Sequence, residues 1–220
     1  MGRTSQGNED VDRRTALLDA TIRLIASDGL GAVSHRGVER LAGAPHGSTT
    51  YYFQSKAALM VAARQRLADL DHLALDRLAL DVARALAPRS DRPDLGVVAG
   101  TLARWVEGHR DLHVARFELA LEATRHPGLA ASDRAWNDTF LEIIEAVVTS
   151  VGSRSARQDA RYVCAAFMGI VFEQVVRPQA DFASTVLPLA LQRLLSSITH
   201  HRSSVPLPPG PATPPGAGAP

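Results

Sequence analysis

The sequence predicts an all-helical fold, and three observations carry that prediction. Ala, Leu and Arg are plentiful while aromatic residues make up 5% of the chain, a composition that favours helices over sheets. Apolar residues recur three and four positions apart, and no segment sustains the strict alternation of a half-buried strand. Gly, Pro and Ser interrupt the periodic stretches at intervals that suit helix ends. With 220 residues, 45% of them hydrophobic, the chain is long enough to bury a real core.

The elements follow in order. Residues 1–10 are polar and aperiodic and are expected to be disordered. A first helix is expected at about 12–28, with Leu17, Leu18, Thr21, Ile22 and Ile25 along one face and Gly29 as its stop. Ser34 can cap a short second helix that holds Val38, Leu41 and Ala42 and ends at Gly43. A turn through Ala44 and Pro45 leads to a third short helix at about 46–52. Ser55 then caps a long fourth helix, from Lys56 to about Ala87. The stretch 88–93, PRSDRP, is the clearest internal linker. Five more helices are expected at about 94–108, 111–125, 132–150, 156–176 and 181–199. The Pro/Gly/Ala-rich tail from Ser203 cannot form a helix or a packed core and reads as a flexible extension.

Composition narrows the function classes. A net charge of +1 argues against nucleic acid clamped along the whole chain, so any DNA-binding surface must be local. The single cysteine, Cys164, excludes an internal disulfide and a multi-cysteine zinc site, and its apolar surroundings suit a buried thiol better than a redox sensor. The N-terminus lacks the apolar core of a signal peptide, and no apolar run approaches the roughly 20 residues that span a bilayer. A cytoplasmic location is therefore expected. No phosphate-binding Gly-rich loop or G-x-S-x-G is present, so no catalytic residue, cofactor or metal is assigned. His109 and His113 stand one helical turn apart but lack a supporting carboxylate pattern for a metal.

The informative stretch is 34–56, SHRGVERLAGAPHGSTTYYFQSK. Two short helices joined by a turn with Gly43 must cross steeply, which is the form of a helix-turn-helix. Val38 and Leu41 are expected to pack inward. The second helix carries His46, Ser48, Thr49, Thr50, Tyr51 and Tyr52, too polar a set for core packing and well suited to a major groove. Gly47 would let the backbone approach a phosphate closely. The alternative is a helical hairpin inside a larger bundle, its hydroxyls satisfied by local capping.

Residues 12–64 resemble the DNA-binding domain of the TetR (tetracycline-repressor-like) family. The resemblance rests on LLDATIRLIASDGL, Ser34, Leu41-Ala42-Gly43, the run from Gly47 to Phe53, Ser55-Lys56 and Leu59. It departs where Thr49 replaces a common Leu, Thr50 replaces a frequent Tyr, and Pro45 takes the place of a helix-capping Ser. The resemblance implies that Arg36 reaches a groove edge and that His46, Ser48, Thr50 and Tyr52 meet bases or sugar-phosphate. It further implies that Tyr51 lies on the backbone, Phe53 anchors the domain, and Lys56 meets a phosphate. Lys56 is the only lysine among 24 basic residues.

The domain order expected is thus 11–57 for a three-helix DNA-binding head and 58–202 for a larger helical ligand-binding and dimerisation body. By analogy the last two long helices pair with those of a second subunit, with Phe167, Val171, Phe172, Leu187, Leu191 and Leu194 as interface candidates. The same stripes would equally serve an internal core. The family typically binds an apolar small molecule in the body. Trp105, Phe117, Leu121, Trp136, Phe140 and Met168 are lining candidates or ordinary core residues, and Arg116, Glu118 and Glu122 are polar anchors or surface pairs. The expected function is a transcriptional regulator, by analogy a repressor, that binds a palindromic operator on double-stranded DNA as a homodimer and responds to an effector. The competing class is a helical adaptor that binds a ligand or protein without DNA.

Overall fold

The computed structural model describes residues 3–86 and 95–200. The linker 88–93 and the tail from Ser203 lie outside them. Nine α-helices are described: α1 (Arg3–Asp28), α2 (His35–Ala42), α3 (Ser48–Tyr52), α4 (Lys56–Leu86), α5 (Leu95–Gly108), α6 (Arg110–Ala123), α7 (Pro127–Ser150), α8 (Ala156–Val176) and α9 (Leu187–His200). A 3-10 turn at Leu30–Ala32 follows α1, and a π-helical turn at Phe182–Val186 leads into α9. No strand occurs among the described residues, so the fold is all-α.

Most boundaries fall where the breakers put them. Gly29, at φ 79°, ends α1, and Gly43, at φ 64°, adopts the left-handed conformation that closes α2. Ser34 Oγ accepts from Gly37 N at 3.1 Å, and Ser55 Oγ accepts from Ala58 N at 3.1 Å, so both expected caps form. Two starts differ. Residues 3–10 are helical and continue α1 rather than standing apart, since no proline interrupts the backbone there. Helix α7 begins at Pro127, whose fixed φ suits the first turn, five residues before the expected start.

Two cores hold the chain. The first joins Leu17, Ile22 and Ile25 of α1 to Val38, Phe53, Leu59 and Leu67, and is closed by Ala115, Leu119 and Ala123 of α6 and Leu129 of α7. The second joins Trp105, Val106, Trp136, Phe140, Phe167, Val171, Phe182 and Leu187. The boundary expected after residue 57 therefore falls two residues into α4, just before Leu59 and Leu67 enter the first core. Arg66 of α4 also binds Asp19 of α1, with Nε to Oδ1 at 2.8 Å.

Inside α2 one inward position differs from expectation. Val38 is fully buried, but Leu41 is 42% exposed and Glu39 is buried in its stead. Helix α2 lies between α1 and α3. Toward α3 it meets backbone N–H groups, which a carboxylate satisfies and a leucine cannot.

Candidate nucleic-acid interface

Helix α3 has five residues and no hydroxyl cap, since Pro45 and Gly47 occupy the approach. Its first N–H groups would be orphaned without help. Glu39 of α2 supplies it. Oε1 accepts from Gly47 N at 3.1 Å and from Thr49 N at 3.0 Å, while Oε2 lies 3.2 Å from His46 Nδ1. The Thr49 N–H is the main reason the Glu39 carboxyl titrates below the usual range; burial opposes that shift and His46 adds to it. Gly47, at φ 88°, makes the corner that brings these donors together, a conformation that strains any other L residue.

Two further links fix α3. His35 Nδ1 and Thr50 Oγ1 are 3.2 Å apart, so the first turn of α2 sits beside the middle of α3. The Tyr52 hydroxyl donates to Asp10 Oδ1 at 3.0 Å. Desolvation first, and then that acidic partner, push the phenol above its ordinary value and keep it a donor. The extension of α1 thus reaches over α3. Phe53 is buried beneath, with the Arg14 guanidinium 5.4 Å above its ring.

The expected DNA contacts divide accordingly. Arg36, His46, Thr50 and Tyr51 are exposed, the last at 76%, and Ser48 and Tyr52 are half-buried. Gly47 is half-buried, with its N–H already given to Glu39. Thr49 requires correction: its side chain is fully buried and directed at the His35 carbonyl, 3.4 Å away, so it packs α3 onto α2 and is withheld from a groove. Lys56 is exposed and donates from Nζ to Leu30 O at 3.0 Å. That bond uses one of three ammonium protons and holds the charge against the turn after α1. Neither Glu39 nor His35 stands out in the sequence, although the absent hydroxyl cap before α3 signals that a carboxylate is needed.

In the body, Trp105, Trp136 and Phe140 are buried, Phe117 and Met168 are half-buried, and all five belong to the second core or pack on it. Leu121 is 65% exposed and points away from the second core, because α6 turns its Ala115, Leu119 and Ala123 face inward instead. A cavity of about 340 Å³ lies elsewhere, between the start of α4 and the α6–α7 corner, lined by Lys56, Met60, Val61, Glu122, His126 and Leu129 among others. Arg116 forms no surface pair. It is 2% exposed, donates through two nitrogens to Asp71 of α4 and to His113 Nδ1, and stacks over Trp105 and Trp136. Glu118 is half-buried, and Glu122 pairs with Arg125 and His126. Burial, with the Arg116 charge behind it, holds the His113 pKa down to about 3, so the ring is neutral. His109 Nδ1 meets the Trp105 carbonyl at 2.9 Å. Cys164 is buried, which raises its thiol.

The interface candidates also divide. Phe167, Val171, Leu187 and Leu194 are buried within this one chain and Leu191 is half-buried, because α5 and α7 already cover that side of α8 and α9. Phe172 is 43% exposed and belongs to a different stripe. Tyr162, Ala165, Gly169, Phe172 and Val176 all face outward on α8, alternating three and four residues apart. No helix among the described residues is long and apolar enough to cross a membrane.

Known proteins share this arrangement. Residues 17–63 match the family described as bacterial regulatory proteins, tetR family, and residues 91–197 match the tetracyclin repressor-like C-terminal domain. The multidrug binding protein EbrR complexed with proflavin is 31% identical, with a TM-score of 0.54 over 83% of this chain and 99% of that one. A TetR-family member from Streptomyces coelicolor A3 is 29% identical, with a TM-score of 0.62 over 83% and 97%. A transcriptional regulator from Rhodococcus sp. Rha1 shares the fold, at 22% identity and a TM-score of 0.67 over 88% and 99%. No curated protein shows significant similarity to the chain. A capped helix-turn-helix at the head, a helical body behind it and these matches to both lead to one conclusion: the chain belongs to the TetR family of DNA-binding transcriptional regulators.

Proposed function

We propose that the protein is a repressor that binds a palindromic operator as a homodimer and is released from it by a small-molecule effector. The observation that carries DNA reading is the outward set on α2 and α3: Arg36, His46, Thr50 and Tyr51 are exposed while Glu39 holds the helix beneath them. None of the four belongs to a hydrophobic core, although His46 also meets Glu39 and Thr50 meets His35, and hydroxyl, imidazole and guanidinium groups suit base edges and phosphates. Tyr52, engaged with Asp10, supports the helix and presents its ring edge beside Tyr51. Lys56 offers a phosphate its two remaining protons.

Pairing is supported by the α8 stripe. Tyr162, Ala165, Gly169, Phe172 and Val176 repeat as the seam positions of a heptad, with small residues in the middle that allow close approach. A two-fold pair places two heads on half-sites about one helical turn apart, roughly 34 Å or a multiple. Effector control is supported by EbrR, seen with proflavin and with ethidium, and by α6. That helix puts Ala115, Leu119 and Ala123 into the head's core while Arg116 and His113 stand among the body's tryptophans. A ligand that favours a different α6 position therefore alters the head as well.

The test is selection of bound duplexes from a random pool with purified protein at moderate salt. A palindrome with regularly spaced half-sites is expected, with affinity falling steeply as salt rises. Enrichment of nothing above background by a folded protein would overturn the reading.

A further inference from the structure

The body's centre holds polar groups that the head and the seam do not use. Arg64 of α4 is fully buried; its Nε and Nη2 bind Asp133 Oδ1 at 3.4 and 3.1 Å, and its guanidinium lies 5.5 Å from the Trp136 ring centroid. Arg116 of α6 lies 5.1 Å from the same ring, so two guanidinium groups lie close to one indole. His113, also fully buried, accepts from Arg116 at Nδ1. Its own proton is therefore on Nε2. Two buried N–H donors, Arg64 Nη1 and Trp136 Nε1, remain without an acceptor, and His113 Nε2 has the Trp105 carbonyl near its ring but no well-formed hydrogen bond to it. Ser132 Oγ, one turn before Trp136 on α7, is likewise buried and unpartnered.

Such groups in a native interior call for an explanation, since an unmet buried donor destabilises the fold. The charges give its sign. Arg64, Arg116 and Asp71 are each at most 2% exposed, two cations to one anion, while Asp133 sits at the edge with its side chain 30% exposed. What the cluster lacks is an acceptor, and what it favours is negative charge. The stacked Trp136–Phe140 pair, with centroids 5.4 Å apart, and the Trp105–Phe167 pair, 6.3 Å apart, supply apolar walls.

We infer that the effector is a small organic acid, its carboxylate bound by Arg64 Nη1, Trp136 Nε1 and His113 Nε2 between α4, α6 and α7 and its apolar part against the aromatic rings. This rests on the reading that the body binds an effector, and it fixes the chemistry of that effector's headgroup. The acid enters where the cluster meets solvent, at Asp133, and takes the Arg64 nitrogen that Asp133 leaves free. A second carboxylate on Arg64 offsets the buried excess of positive charge and weakens the hold of Asp133 on it, loosening the tie between α4 and α7.

Trp105 and Trp136 are the only tryptophans in the chain, so emission excited at their red edge reports on this cluster alone. Phenylacetate, phenylacetamide and phenethylamine, and octanoate, octanamide and octylamine, are titrated into the full-length protein with and without its selected operator. On at least one skeleton the acid is expected to change the emission saturably, at least about tenfold more tightly than its amide or amine, and to release DNA. Trp136→Phe removes the indole N–H and keeps a ring, and Ser132→Ala removes only a hydroxyl. Trp136→Phe is expected to weaken acid binding about fivefold or more, read through Trp105, with the melting temperature nearly unchanged. Ser132→Ala, far gentler on the fold, is expected to weaken it less. Amides or amines that bind as tightly as the acids would overturn the inference. So would silence from all six compounds while a cationic dye still releases DNA, and in both cases effector control itself would stand. No release by acids, neutral compounds or cationic dyes would overturn both.

Discussion

Asp71→Ala is the sharpest perturbation of the body's buried charges. Asp71 is 2% exposed and takes two donors from Arg116, itself 2% exposed. Removing the carboxylate strands a guanidinium where water does not reach, and breaking such a pair costs about 3–5 kcal/mol. In a protein of this size each kcal/mol moves the melting temperature by about 2–4 °C, so a fall of about 6–20 °C is expected. Changing Asp71 to Leu together with Arg116 to Met removes both charges and roughly keeps the volume. That double variant is expected to lose far less than Asp71→Ala, because a matched buried pair and an apolar substitute are often nearly equivalent. Differential scanning calorimetry at neutral pH and one fixed protein concentration reads both, since self-association would otherwise move the midpoint. A fall under about 3 °C for Asp71→Ala, or a double variant no more stable than the single one, would refute the reasoning. The first result would mean that Arg116 finds water or another partner, and the second that the pair is held for its packing and hydrogen bonds rather than for charge balance.

Further outcomes follow from the head, the body and the seam. Glu39→Gln keeps the size of the side chain but weakens its hold on Gly47 N and Thr49 N, and operator affinity is expected to drop about tenfold in a gel-shift titration while the body's melting is little changed. Because the Glu39 carboxyl is held below its ordinary range, its stabilisation of α3 is fully present above that range and is lost as pH falls through the lowered value. The glutamine variant should lack that acid-side loss. Lys56→Ala is expected to weaken binding evenly across operator variants and reduce the salt slope by about one, whereas Arg36→Ala relaxes preference at one base pair. For His113 the unfolded state takes up a proton that the folded state refuses between about 6.5 and 3, so stability falls with pH across that window, by up to about 1.4 kcal/mol per unit. His113→Gln should flatten that part of a urea-melt pH series. At Gly169 an added side chain meets nothing within 4 Å in a single chain, so Gly169→Arg should leave the fold intact yet yield monomers in sedimentation.

Helix order was legible from the chain because breakers and periodicity act locally. Gly29, Gly43, Ser34 and Ser55 each stop or start a helix through bonds to residues within five positions. What escaped depends on partners distant in sequence. Glu39 reads as a surface charge on a short helix, and only the crossing of α2 and α3 places it against Thr49 N, ten residues on. Leu41 and Leu121 fit apolar periodicity, but the faces that carry them have nothing packed over them. Arg64, Arg116 and Asp71 look like ordinary helix charges until α4, α6 and α7 converge. The two stripes of α8 are equally apolar in sequence, and which one is internal depends on where α5 and α7 lie. The exposed residues of α3 were easier, since a helix so rich in hydroxyls has few uses inside a protein.

The first core has a consequence for transplanting the DNA-reading unit onto another regulator. A segment cut after residue 57 carries every exposed side chain that would touch DNA, yet leaves behind Leu59, Ala63, Leu67, Leu119 and Leu129, which seal Leu17, Ile22 and Phe53 from water. Fewer than sixty residues with an open apolar face make a marginal folding unit. A working graft would have to bring the first three turns of α4 and recreate the α6 face that lies on α1. The part that reads and the part that folds are different lengths of chain, and specificity can be exchanged only together with some of the helical body that completes the head's core.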